Sequence, residues 1–342
     1  MGLFSFTQEV AIDLGTANTI IICNDKVVVD EPSVVAINYK SGDKRFHAVG
    51  KKAQMMIGKE SEGIRTIRPL RNGVIADFYA CEMMMRELIK KIPSSSRIIK
   101  PTLKMVVCIP SGSTEVEIRA VRDSSEHSGG REVYMIYEPM AAAIGIGIDV
   151  EAPKGCMIVD IGGGTTEIAV ISLGGIVSNK SIKIAGDDFN EDIIDYMGRM
   201  HNMRIGEPMA ERIKIAVGAV LTELGEDAPE DFTVKGPNRM TALPMEVPVS
   251  YQEVAHCLEK SVSRIENAIL DALEHTPAEL YADIVERGIY LAGGGALLRG
   301  LDKRLTDKFN IQFHVAEDPL RAVARGTGIA LKNVDKYSFL MR

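Results

Sequence analysis

The chain has 342 residues, 46% hydrophobic and 25% charged, which is the composition of a globular protein long enough for two core-containing units. A net charge of −7, with no Lys/Arg-rich block interleaved with aromatics, argues against nucleic acid as a partner. Five scattered cysteines (Cys23, Cys81, Cys108, Cys156, Cys257) contain no CxxC pair, so packed, reduced thiols are expected and neither a disulfide frame nor a zinc site.

In chain order, an apolar run, Val10-Ala11-Ile12, ends at Asp13, turns through Gly15-Thr16-Ala17 and leaves as a second β-rich run from Asn18 to Ile22. Residues 27–37 read as paired strands broken by Glu31-Pro32-Ser33, and 47–58 and 64–75 as short strands and turns around Gly50, Gly58 and Gly73. Met84, Leu88 and Ile92 recur at helical spacing over 79–92, and Pro93 stops that helix. A strand from Met105 to Pro110 follows. Ser113-Thr114-Glu115 can cap a helix running through Ile118 and Val121 to about His127, closed by Gly129-Gly130. Glu138-Pro139 then opens a small-residue helix to Gly145.

The second half begins with Met157-Ile158-Val159, ends that strand at Asp160, turns through Gly162-Gly163-Gly164 and leaves along Thr165–Val170. Gly186 and Asp187-Asp188 precede a helix with Phe189, Ile193, Ile194 and Met197 on its apolar face, and Pro208 opens another over 209–221. Prolines, with Asp231 and Gly236, divide 226–249 into short strands and loops. Residues 250–274 carry the longest helical pattern, from Val254 to Leu273. A strand from Gly288 to Ala292, a Gly-rich turn, a further helical stretch and Asp318-Pro319 lead to a small-residue helix ending near Gly326. Alternating strands and helices predict α/β layers.

The two halves therefore share one order: a hairpin with Asp at its first strand's end, then strand, turn, helix, strand, acidic residue plus proline, small-residue helix. Convergence is the alternative, because Asp and Gly-rich turns commonly follow strands. Duplication accounts for both hairpins and both acidic-proline helices at once. A small-residue turn exposes several backbone N–H groups in a concavity that cradles phosphate oxygens. Two such turns facing each other would clamp a polyphosphate, with Asp13 and Asp160 near its metal.

These residues resemble the superfamily of actin, sugar kinases and DnaK-type chaperones, whose duplicated lobes close over ATP. Asp13-Leu14-Gly15-Thr16-Ala17-Asn18-Thr19, Pro110-Ser111-Gly112, Val116–Val121, Asp160–Glu167 and Leu291–Ala296 are most similar to the MreB family of bacterial actins, over nearly the whole chain. The resemblance implies an α/β, duplicated actin-like (ribonuclease H-like) two-lobe ATPase fold with a nucleotide cleft between the lobes. Lobe I would comprise residues 1–145 plus 322–342, with a small subdomain at about 31–75. Lobe II would comprise 146–321, with a small subdomain at about 183–248. It also implies slow, Mg²⁺-dependent ATP hydrolysis coupled to polymerisation. The filaments would be antiparallel double protofilaments on the cytoplasmic face of the cell membrane. They would meet membrane and cell-wall elongation proteins and maintain rod shape. The family often has a second acidic residue before the Glu-Pro pair, where this chain has Tyr137.

Phosphate contacts are expected from Gly15, Thr16, Ala17 and Asn18 and from Gly162, Gly163 and Gly164, because only small residues let the main chain approach an anion closely. Asp13 and Asp160 would order Mg²⁺ largely through water. Gly293, Gly294, Gly295 and Ala296 follow a strand and open a helix, so that backbone can lie against the nucleoside. Gly186 is a further candidate. Glu211 and Lys214, one turn apart, can be an ordinary surface pair. The family match implies that Glu211, Arg212, Ile213 and Lys214 line the adenine and ribose pocket. Glu138 is the candidate for orienting the hydrolytic water, with Thr165 sharing that task. The alternative for Glu138 is a carboxylate balancing a helix dipole.

Two segments suit an anionic bilayer. Residues 90–104 carry Lys90, Lys91, Arg97, Lys100 and Lys104 around Ile98 and Ile99 with no acid, and the start carries Leu3, Phe4 and Phe6. No apolar run reaches the ~18–20 residues of a membrane span, and the first residues match neither a signal peptide nor a myristoylation signal. The rival functions are a small-molecule kinase on the same core, which needs a second-substrate pocket, and a chaperone ATPase, which needs a peptide-binding domain that this length does not accommodate.

Overall fold

The computed structural model describes residues 7–40, 44–93 and 102–342. The first half runs β1 (Thr7–Leu14), β2 (Asn18–Cys23), β3 (Lys26–Pro32), β4 (Val35–Asn38), β5 (Arg45–Val49), the single turn α1 (Lys51–Gln54), β6 (Ile64–Ile67), β7 (Leu70–Arg71) and β8 (Val74–Ile75). It continues with α2 (Phe78–Ile89), β9 (Thr102–Ile109), α3 (Glu115–His127), β10 (Gly130–Tyr137) and α4 (Glu138–Gly145). The second half runs β11 (Cys156–Ile161), β12 (Thr166–Ser172), β13 (Gly175–Ile182), α5 (Gly186–Met200), α6 (Glu207–Val217), β14 (Phe232–Pro237), β15 (Pro244–Val249) and α7 (Tyr251–Glu274). It ends with α8 (Ala278–Arg287), β16 (Ile289–Ala292), α9 (Leu301–Phe309), β17 (Phe313–Val315) and α10 (Ala322–Lys332).

Two five-stranded sheets carry the duplication. Their orders are β10-β9-β1-β2-β3 and β13-β12-β11-β16-β17. Read from the hairpin side the two are the same sheet: two antiparallel pairings followed by two parallel ones. The alternation of strand side chains builds the layers. Val10, Ile12, Met105 and Val107 face a core shared with α2, while Met157, Val159 and Ile168 face a core shared with α5 and α7. The opposite faces of both sheets, through Ala11, Val106, Ile158 and Ala169, meet in one central core with α4 and α10. Strands β11 and β12 are buried at every position, as strands covered on both faces must be.

Local signals explain the helix boundaries. Thr114 and Glu117 form a reciprocal capping box at α3, and the Asp77 carboxylate accepts from Ala80 N at 2.9 Å to start α2. Helix α2 stops at Ile89, short of the expected 92, because Lys91 and Ile92 donate to Leu88 O and Ile89 O in a tightened last turn. Helix α6 stops at Val217, before the expected 221, where the chain extends at Gly218. The expected pairing within 27–37 is not formed. Strand β3 pairs with β2, whereas β4 pairs with β5 and β6. Buried Ser33 turns the chain between sheets by donating its hydroxyl to Gly15 O at 2.6 Å and its N–H to Ala17 O at 2.9 Å.

Candidate active site

Both turns that close the central hairpins are tied down through their carbonyls. Ser33 holds Gly15 O and Ala17 O in the first. In the second, Gly162 O accepts from Gly186 N at 3.1 Å and Gly163 O from Asp187 N at 2.8 Å, which joins the turn to the start of α5. The N–H groups of Thr16, Ala17, Gly163 and Gly164 find no backbone acceptor among the described residues. That pattern leaves donors in the concavity of each turn, which is the requirement for an anion cradle.

The two turns face each other. A Cβ on Gly163 would lie 2.7 Å from Ala17 Cβ, and one on Gly164 would lie 2.9 Å from Thr16 Cγ2 and 2.8 Å from Asn72 N. Gly73 N donates to Thr16 Oγ1 at 3.1 Å, and a Cβ on Gly73 would lie 2.9 Å from the Thr165 methyl, so the β7–β8 turn closes over both. Thr165 is a buried residue, and its hydroxyl makes no hydrogen bond to the described residues.

Beneath the turns lies a group of carboxylates. Asp13 and Glu138 are half-buried, Asp160 is buried, and Glu167 is completely so. Burial pushes Asp13 up to about 6 despite a bond from Cys108 Sγ at 3.1 Å. Burial, then the charges of Asp13 and Glu167, push Asp160 up to about 7. Burial and the charges of Glu167, Asp160 and Asp13 hold Glu138 well above the usual carboxylate range. Among the described residues no basic side chain moderates any of the three. Glu138 lies in the first turn of α4, so the dipole reading and the catalytic reading describe the same position. Among the described residues no three acidic, His or Cys side chains are grouped tightly enough to hold a metal directly.

On the other side of the second turn, Lys214 Nζ donates to Gly186 O at 2.9 Å and pairs with Glu211 Oε2 at 2.8 Å. Buried Asn190 also donates to that oxygen at 2.8 Å. Ile213 points into the lobe core and Arg212 lies over the Phe232 ring at 5.6 Å, so those two side chains are committed away from the Glu211–Lys214 face. Gly293, at φ 77°, passes so close to the Asp160 carboxylate and Ile161 backbone that no side chain fits, and Gly295 packs on Ile161. Gly294 and Ala296 lie in a single 3-10 turn, Gly294–Leu297. The expected helix opens only at Leu301, after Gly300 in the left-handed region at φ 78°. At the mouth, Arg68 reaches Asp187 at 4.0 Å and pairs with Glu207.

A family model described as MreB/Mbl protein matches residues 7–339. The chain belongs to the MreB/Mbl family. It is 45% identical over 335 residues to the cell shape-determining protein MreB of Escherichia coli (strain K12), covering 97% of this chain and 95% of that protein. The cell shape-determining protein Mbl of Bacillus subtilis (strain 168) is 44% identical over 332 residues, covering 97% and 98%. The crystal structure of MreB 5 of Spiroplasma citri bound to AMPPNP, 37% identical, matches 96% of this chain and 97% of that chain with a TM-score of 0.88. As an MreB/Mbl protein the chain has the duplicated actin-like fold and is an actin-like cytoskeletal protein of the cell-shape class. These relatives give no support to the small-molecule kinase.

Sequence reasoning overlooked Glu167 as a site residue, although it lies directly opposite Asp160 in the β11–β12 register. Alternation along β12 and the turn geometry would have found it. Ser33, Asn190 and Arg68 carried no comparable signal, because their partners are 14 or more residues away in sequence.

Proposed function

We propose that this protein binds ATP with Mg²⁺ between its two opposed turns and hydrolyses it slowly to time the assembly of a cell-shape filament. The observation that carries this reading is the pair of facing turns with free amides above carboxylates that no cation offsets. The MreB 5 relative bound to AMPPNP, an ATP analogue, supports the choice of nucleotide.

In this reading Gly15 to Asn18 and Gly162 to Gly164 receive the phosphates. Gly186, the Glu211 and Lys214 face of α6, from which Arg212 and Ile213 turn away, and Gly293 to Ala296 enclose the nucleoside. Asp13 and Asp160 suit a hydrated Mg²⁺, since two carboxylates without a protein counter-ion are what a largely hydrated divalent ion needs. Bound Mg²⁺ would neutralise charge on the phosphate oxygens. Glu138 accepts a hydrogen bond from the attacking water and aligns it, and Thr165 supplies a second contact through its unpartnered hydroxyl. The lobes we propose are residues 1–145 with 322–342, and 146–321. Contacts of α10 with β1 and β9 and the bridge between Met135 and Met341 favour returning the C-terminal residues to the first lobe.

Family membership supports self-assembly into double protofilaments that work with cell-wall elongation proteins. The proposed bilayer contacts, Leu3, Phe4, Phe6, Ile98 and Ile99, lie outside the described residues and rest on the sequence. Liposome co-sedimentation tests them: Ile98→Ser with Phe4→Ser should abolish lipid binding while filaments persist, and retained binding would refute the contact. For the core reading, nucleotide binding measured with and without Mg²⁺, beside electron microscopy with and without ATP, is decisive. Failure of purified protein to bind ATP would end it.

A further inference from the structure

Glu167 is the centre of a set of hydrogen bonds that the reading above leaves without a role. Its carboxylate is fully buried in β12, opposite Asp160. Two donors of one residue hold Oε2, the Ser111 N–H at 3.1 Å and the Ser111 hydroxyl, while Ser181 Oγ donates to Oε1 at 2.6 Å. A buried carboxylate without a cation must be placed by such donors.

The donors come from different lobes. Ser181 is on β13, in the same sheet as Glu167. Ser111 follows Pro110 just beyond β9, in the other sheet. Asn179 Nδ2 donates back to Ser111 O at 3.3 Å, and a Cβ on Gly112 would come within 3.0 Å of Ser181 Cβ, so the Pro110–Gly112 turn is docked on the second lobe. After burial itself, the charge on Glu167 is the largest influence on the Glu138 carboxyl.

We propose that Glu167 is a positioning residue for hydrolysis, and that Ser111, reaching it from the opposite lobe, makes its placement depend on lobe closure. This deepens the ATPase reading and rests on it. With the lobes closed, three hydrogen bonds hold the Glu167 carboxylate beside Asp160 and Glu138. A small rotation between lobes removes both Ser111 donors together, because they belong to one residue. Only Ser181 then holds the carboxylate, which is free to turn away from its place opposite Asp160. Hydrolysis is thereby tied to the closed state.

The test uses the full chain and measures nucleotide affinity and single-turnover ATP hydrolysis separately. Ser111→Ala, which keeps the N–H donor, should slow hydrolysis roughly threefold to tenfold while the nucleotide Kd stays within about twofold. Ser111→Thr, which keeps a hydroxyl, should restore the rate. Glu167→Gln should be slower still, and adding Ser111→Ala to it should cost little more, since both act through one carboxylate. Thermal unfolding of each variant separates this effect from misfolding. A wild-type rate in Ser111→Ala, parallel loss of affinity and rate, or fully additive losses in the double variant would overturn the inference and leave the ATPase reading standing. Absence of ATP binding by the unaltered chain would remove both.

Discussion

Gly145 of α4 and Gly326 of α10 meet backbone to backbone where the two helices cross. A Cβ on Gly145 would lie 2.9 Å from Gly326 N, and one on Gly326 would lie 2.8 Å from Gly145 N. Helix α4 opens on the acidic-proline pair Glu138-Pro139 and α10 follows Asp318-Pro319, so the crossing joins the matching helices of the two halves. Arg325 Nε fastens it by donating to Gly145 O at 2.6 Å.

Replacing either glycine must push the helices apart. Gly326→Ala should destabilise the protein by at least ~1–3 kcal/mol, the usual range for overpacking a tight core. Denaturant unfolding measures this, and a change smaller than about 0.5 kcal/mol would mean that the crossing relaxes without loss.

Glu138→Ala should bind ATP yet hydrolyse it at least roughly tenfold slower, equivalent to about 1.4 kcal/mol of barrier. Single-turnover kinetics isolate the chemical step. An unchanged rate would remove Glu138 from the mechanism.

Burial raises Asp13 from 3.8 to about 6 and Asp160 from 3.8 to about 7. Below 3.8 both groups are protonated whether the chain is folded or not. Above that, the unfolded chain releases protons that the folded chain retains, so their contribution to stability falls as pH rises toward 7. The nucleotide-free protein should therefore gain more from these groups at pH 5 than at pH 8. Asp160→Asn should reduce the Tm difference between those pH values relative to wild type, and an identical difference would show that Asp160 does not titrate in this window.

Arg68, in the link between β6 and β7, reaches Asp187 in the first turn of α5 and Glu207 at the start of α6. The pair is partly exposed, which limits it to ~1 kcal/mol. Arg68→Ala should speed release of a fluorescent nucleotide by about threefold to fivefold, and moderate salt should do the same to wild type. Release at the wild-type rate in the variant would assign this ion pair to the surface alone.

The hairpins and the acidic-proline helices were legible because their signals are local. Apolar runs ending in Asp13 or Asp160, and turns of small residues, state strand, stop and turn within a dozen positions. Ser113-Thr114-Glu115 announced the start of α3 for the same reason, and Thr114 is its cap. The break at Ser33 was visible, but not that it sends β4 to a different sheet, because Ser33 answers to the Gly15 carbonyl in another hairpin. In Glu211–Lys214 the spacing revealed one face of a helix and left the directions of Arg212 and Ile213 to the packing of α6 against Phe232 and the lobe core.

By itself, the order of residues determined that two like halves exist, which strands end in a carboxylate, and where the backbone is bare enough to approach an anion. Those properties are written in periodicity and in the absence of side chains. Folding alone decided that the turns face one another, that Ser111 and Ser181 converge on Glu167, and that buried acids influence one another with no base among the described residues to offset them. Such relations join positions tens of residues apart, and no local pattern encodes them, because they are set by how two sheets pack around α4 and α10.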